Sequence, residues 1–171
     1  MGKLLFSILI LCFSSVAMSL PEQLEGVFAY AHHTGIVGYE DEKSCAADQG
    51  DWDQDMELCF FNVEDSVQVK KTQVPEVFQL NVDTVGSNGH SCSFEGEATV
   101  QSNDLLMSSV KTEVWQENAQ TGEWESVSAT CEVTVKYADI NTTAVSTNGN
   151  CQEFCGMRAI LDIEEAKRKA P

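Results

Sequence analysis

The sequence predicts an all-β protein, a small antiparallel β-barrel or sandwich stapled by disulfides, with a short irregular N-terminal region. Three observations carry this expectation. From Val74 onward apolar residues alternate with polar ones, the period of a strand with one buried face. Clusters of Gly, Asn, Ser and Asp separate those runs and supply turns. Of seven cysteines, one falls in an N-terminal leader, which leaves six, an even number suited to three bridges.

The leader comes first in chain order. Met1 to Leu20 hold one early cation, Lys3, then an apolar run from Leu4 to Phe13, then the small-residue stretch Ser14 to Ser19. That order is a secretory signal peptide over 1–19, cut near Ser19. The apolar run is about ten residues, where a membrane-spanning helix needs roughly 20. Cys12 follows Leu11 rather than the small residue of a lipid-attachment site, so it leaves with the leader. The expected mature chain is periplasmic or secreted, where disulfides persist, and it does not associate with a membrane once the signal is removed.

Residues 20–73 read as an N-terminal segment. Leu24 to Tyr30 fits a first strand or a short helix. Cys45 and Cys59 flank a turn-rich stretch with a single tryptophan, Trp52, and the spacing predicts a local bridge between them. Phe60, Phe61 and Val63 lead into a strand ending near Lys71.

Residues 74–163 read as the β domain. Phe78, Leu80, Val82 and Thr84 alternate, and so do Cys92, Phe94, Gly96, Ala98 and Val100 beyond the Gly86-Ser87-Asn88-Gly89 cluster. For both sets to share one face, facing positions must sum to an even number, such as Val82 with Phe94, which requires an odd-length loop with a left-handed Gly89. Gly96 marks a bend or bulge. Further strands are expected over 105–114, 124–137 and 142–147. Residues 164–171 are charged and read as a frayed tail or short surface helix.

Two pairings of the last four cysteines compete. Cys131 and Cys151 are equidistant from Asn141, so a hairpin centred there sets them opposite each other, near bridging distance, and leaves Cys92 for Cys155. The other closure joins Cys151 to Cys155 across one helical turn.

The formal charge of −17, from 27 acidic and 10 basic residues, repels nucleic acid and anionic lipid and draws in cationic partners. Asp51, Asp53, Asp55 and Glu57 alternate as hard oxygen donors, a weak calcium candidate. An EF-hand counted from Asp51 fails, because the glycine and glutamate places hold Met56 and Asn62. His32 and His33 are adjacent, so in an extended segment they point to opposite sides and chelate poorly. His90 abuts the hairpin turn and holds its backbone. No Gly-x-Ser-x-Gly elbow exists and the cysteines are paired, so no catalytic residue and no cofactor is assigned and the chain is read as a non-enzyme.

One ordered set remains: Gly89-His90-Ser91-Cys92-Ser93-Phe94, then Cys131-Glu132-Val133, then Cys151-Gln152-Glu153-Phe154-Cys155-Gly156-Met157-Arg158, with Leu161-Asp162 beyond. It resembles a domain of exported Gram-negative proteins described as lysozyme-inhibitor-like, over about Val77 to Ile163. The resemblance implies a periplasmic barrel that inhibits a cationic cell-wall hydrolase such as lysozyme by inserting surface loops into its cleft. A structural or stress-related envelope protein is the second expectation, and a calycin-like barrel holding a small apolar ligand the third.

Overall fold

The computed structural model describes residues 23–156 and 159–170. The expected leader at 1–19 lies outside the described residues, as do Met157 and Arg158. Nine strands follow in chain order: β1 Gly26–Ile36, β2 Asp51–Asp53, β3 Leu58–Lys71, β4 Val77–Val85, β5 Ser91–Ser102, β6 Leu105–Glu117, β7 Trp124–Asp139, β8 Thr142–Gly149 and β9 Ile163–Arg168. One short helix, α1 (Glu42–Ala47), lies between β1 and β2.

Every pairing is antiparallel, and β1 bonds both β9 and β3, so eight strands close into a barrel and the sandwich alternative is set aside. The extra strand is β2. It pairs with Leu58–Phe60 on the edge of β3 that β4, bonded to Ser66–Lys71, does not reach.

The inward residues are those of the alternating sets. Phe78, Leu80, Val82 and Thr84 on β4 are buried, as are Cys92, Phe94 and Ala98 on β5. Val82 faces Phe94 across a five-residue loop closed by the Gly86 N–H donating to the His90 carbonyl at 2.7 Å. Gly89 in that loop has φ +69°, where a side chain would be strained. With Phe28, Val67, Val69, Leu106, Val133, Val135, Leu161 and Ile163 these side chains fill the barrel axis. Each fully buried large apolar side chain contributes about 1.5–3 kcal/mol, and together they leave the axis packed, as small eight-stranded barrels usually are.

Several expectations need correction. The division at residue 74 and the tail at 164–171 do not separate structural units, because β1 and β3 lie in the first segment, β9 lies largely in the last, and all three are barrel staves. Leu24 to Tyr30 forms no helix: β1 begins at Gly26. The N-terminal irregular region shrinks to the span between β1 and β3.

The charged tail becomes β9 because it carries two buried residues the alternation rule misses. Ile163 and Ala166 both face the core, three positions apart, since a bulge between them adds one residue relative to Thr143–Val145 of β8. Gly96 marks no bulge, because the β4–β5 register runs unbroken past Leu80↔Gly96. A Cβ there would meet the Ser108 hydroxyl at 2.8 Å, so close packing against β6 explains the glycine. The irregularity of β5 lies instead between Val100 and Ser102.

Candidate functional site

The three disulfides are Cys45–Cys59, Cys92–Cys155 and Cys131–Cys151, so Cys151 does not close on Cys155. The register that brings the last pair together differs from the expected one. β7 and β8 turn one position earlier than a hairpin centred on Asn141, with a shift between Tyr137 and Asp139, so Cys131 faces Gly149. Gly149 then takes φ +79°, and the chain doubles back so that Cys151 reaches Cys131 from beyond the strand end. A Cβ on Gly149 would sit 2.3 Å from the Thr130 carbonyl oxygen, so no side chain fits that corner.

The two C-terminal staples hold a wedge. β5 and β6 pair only where Thr99–Ser102 meets Leu105–Met107, and beyond that point they part. The segment from Asn150 to Gly156 fills the gap. Cys155 bridges to Cys92 in both backbone and sulfur, the Gly156 N–H donates to the Ser91 carbonyl at 2.8 Å, and Phe154 packs edge-on against Phe94 at 5.0 Å. Gly156 lies against the half-buried His90, so the His90 turn and the C-terminal segment meet there.

The wedge also braces an arm. From Lys111↔Thr130 to Glu117↔Trp124, β6 and β7 pair only with each other, past the ends of β5 and β8 pairing, and form a two-stranded ribbon that leaves the barrel. At its base Thr112 Oγ1 donates to the Asn150 carbonyl at 3.3 Å and the Glu113 N–H to Glu153 Oε2 at 3.2 Å. At its tip the Asn118 N–H donates to the Glu123 carbonyl and the Gly122 N–H to the Asn118 carbonyl, each at 2.8 Å.

Trp115 faces Ser126 and Glu117 faces Trp124, so by strand alternation both indoles lie on the outer face of the ribbon, diagonal to each other. They are 69% and 66% exposed. Glu113 and Glu117 share that face and Glu123 and Glu125 flank the tip, with Glu113 Oε2 held by the Ser126 hydroxyl. Two large exposed indoles thus stand together on a ribbon ordered by its own hydrogen bonds. Sequence reading missed this feature, although two tryptophans at polar-face positions of adjacent strands were its signal.

The calcium candidates do not converge. Asp51 and Asp53 lie on β2, whereas Asp55 and Glu57 lie on the turn after it. Asp53 Oδ1 is engaged by the backbone N–H groups of Asp55 and Met56, both at 2.9 Å. That bonding makes Asp53 a turn residue. Among the described residues no group of three or more His, Cys, Asp or Glu is placed to hold a metal ion. Nearby, Asp41 caps α1 with Ser44, whose N–H and hydroxyl hold the Asp41 carboxyl below its ordinary range.

A second site lies at the β1–β9 seam. β9 reaches only Phe28 and Ala29 of β1, so the strand edge from Tyr30 onward has no β9 partner. Beside that edge opens a cleft of about 370 Å³ lined by Tyr30, His32, Asp65, Thr84, Asp162 and Glu164, among others. Asp65 occupies an inward position of β3, in phase with Val67 and Val69, and is only 5% exposed. Its Oδ1 accepts the Val85 N–H at 2.8 Å and His32 Nε2 at 3.1 Å, so Nε2 carries the proton of that bond. His32 stacks on Tyr30 with centroids 5.4 Å apart and planes 18° from parallel, while His33 faces outward. The signal in the sequence was a carboxylate standing in an apolar alternation.

No protein-family model and no curated protein matches the chain. Two solved structures are similar. One is a redesigned β-barrel, mFAP1, bound to DFHBI, at 9% identity and TM-score 0.43, covering 88% of this chain and 99% of that one. The other is a further redesigned β-barrel, at 9% identity and TM-score 0.40, covering 92% of this chain and all of that one. The class of this protein is fixed by its own strand order: a closed, disulfide-stapled antiparallel barrel with a protruding ribbon.

Proposed function

We propose that this chain is an exported acidic binding protein that works through the β6–β7 arm, seating Trp115 and Trp124 in the cleft of a cationic cell-wall hydrolase such as lysozyme and so excluding its substrate. The observation that carries the proposal is the pair of exposed indoles on one face of a ribbon that stands outside the barrel. Tryptophan supplies large contact area with few rotatable bonds, and it dominates binding hot spots. The ribbon is already ordered by hydrogen bonds across its full length, so docking it costs little conformational entropy.

Charge favours the same class of partner. The chain carries −17 formally, Glu113 and Glu117 share the face of the indoles and Glu123 and Glu125 flank the tip, a field that speeds encounter with a basic protein. The three disulfides are compatible with an oxidising compartment outside the cytoplasm. Packed side chains fill the barrel axis, so the calycin-like alternative with a central apolar pocket has less support than surface binding.

A turbidity assay of lysozyme with the purified protein at two salt concentrations tests this. Inhibition is expected at micromolar protein and low salt, weaker at high salt, and lost in the variant carrying W115A and W124A. Absence of inhibition by the parent protein at low salt would remove lysozyme as the partner, and equal inhibition by the double variant would remove the arm.

A further inference from the structure

We infer that the cleft at the β1–β9 seam is a binding site for a small organic cation bearing N–H donors, a guanidinium or a primary ammonium, which nests against Asp65 beneath the Tyr30–His32 stack. Asp65 is the anchor. It is more than nine-tenths buried, yet its donors, the Val85 N–H and His32 Nε2, both fall on Oδ1, and among the described residues nothing donates to Oδ2. Oδ2 is thus left to the cleft that Asp65 lines, where a ligand N–H would make a charge-assisted hydrogen bond to it.

The rest of the lining selects for charge and shape. Asp162 and Glu164 add two more carboxylates, and among the described lining residues there is no lysine or arginine. Asp162 is held in place by accepting both the Thr147 N–H and its hydroxyl on Oδ1, at 2.7 and 2.8 Å. Tyr30, 38% exposed and stacked on His32, presents an aromatic face at the mouth, where a cation is attracted by the ring quadrupole. A volume of about 370 Å³ falls at the lower end of the range typical of small-molecule sites. The carboxylates and ring thus favour a compact cation over an anion or a long apolar chain.

The same chemistry is carried by a free small molecule or by an arginine side chain of a peptide, and two probes separate these. The full chain is titrated with agmatine and, separately, with an end-blocked Gly-Arg-Gly peptide, and amide chemical shifts are followed by NMR. Shifts are expected at His32, Asp65 and Val85. Asp65→Asn, which keeps an Oδ1 acceptor for the Val85 N–H, should weaken binding about tenfold, the effect of losing one charge-assisted hydrogen bond. Tyr30→Ala and Glu164→Gln, both at exposed positions, should each weaken it without unfolding the barrel, whereas the variant with both arm tryptophans replaced should bind as the parent does. Agmatine alone binding assigns a free ligand, and the peptide alone assigns a partner's side chain. The inference is overturned if neither probe moves these amides, or if Asp65→Asn and Tyr30→Ala both bind with unchanged affinity.

Discussion

The guanidinium of Arg168 lies over the ring of Phe28, 4.6 Å from its centroid, and joins the last strand of the barrel to the first. Its Nε donates to the Ile140 carbonyl at 2.6 Å, Nη1 to that of Glu25 at 2.6 Å and Nη2 to that of Gln23 at 2.7 Å. One side chain thereby satisfies three backbone carbonyls and lays a cation on a buried aromatic face. These contacts add to a short β1–β9 ladder, whose register pairs are Phe28↔Arg168 and Ala29↔Lys167.

Replacing Arg168 with Ala is expected to destabilise the barrel by about 2 kcal/mol, the scale of hydrogen bonds from a charged donor partly offset by water. Thermal unfolding should shift down by roughly 4 to 8 °C for a domain of this size. Arg168→Lys should recover only part of that, since an ammonium cannot reproduce the planar fork. A melting temperature unchanged in Arg168→Ala would show that β9 closes the barrel without it.

The staples should differ in weight. Cys45–Cys59 closes a separation of 14 residues and Cys92–Cys155 one of 63, so loop entropy alone assigns them about 3 and about 4 kcal/mol. The second pair also pins the wedge between β5 and β6, where strand hydrogen bonds are missing. Paired alanine replacement of Cys92 and Cys155 is therefore expected to lower the urea midpoint more than replacement of Cys45 and Cys59. The reverse order would mean that the wedge stays seated through Phe154 and Gly156 without its disulfide.

Legibility in the sequence follows the physics of each element. Val82 against Phe94 and the left-handed Gly89 were readable because alternation on both strands and an odd loop admit little else. The partner of Cys131 was readable although its register was not, since a disulfide tolerates an offset that strand pairing does not. β9 was hidden by its bulge, which spaces Ile163 and Ala166 three apart and erases the strand period. β1 was obscured because its inward positions at the open end are Tyr30, His32 and Thr34, polar residues where alternation looks for apolar ones. The arm and the seam cleft share this cause: both place residues on the face opposite to the one their hydrophobicity implies, Trp115 and Trp124 outward and Asp65 inward.

Two glycines with left-handed backbones separate conformational strain from collision. Gly89 has φ +69° with open space where a Cβ would stand, its nearest contact Ile36 Cδ1 at 3.9 Å. Gly149 has φ +79° and a carbonyl oxygen 2.3 Å from that place. Gly89→Ala is expected to cost about 1 kcal/mol, from the backbone conformation alone. Gly149→Ala should cost clearly more and loosen the Cys131–Cys151 corner, which chemical denaturation of the two variants side by side would measure. Equal losses would show that the Thr130 carbonyl yields without penalty.

Tyr137 provides a pH test of the core. Burial pushes its hydroxyl pKa well above the ordinary 10.0, with nearby Arg168 a smaller opposing influence. The hydroxyl donates to the Leu24 carbonyl at 2.8 Å, and the ring meets Phe28 edge-on at 5.7 Å. A raised folded-state pKa means that the unfolded chain releases its proton first, so the stability linked to this group is complete below pH 10 and declines as pH rises above it. Tyr137→Phe leaves the Leu24 carbonyl without its donor and should cost about 1 to 2 kcal/mol at neutral pH. In the alkaline range the parent loses the contribution that the phenylalanine variant never had, so the stability gap between them should narrow as pH climbs past 10. Urea unfolding of both proteins from pH 8 to 11 measures that gap, and a gap constant across the series would show that Tyr137 does not couple to alkaline unfolding.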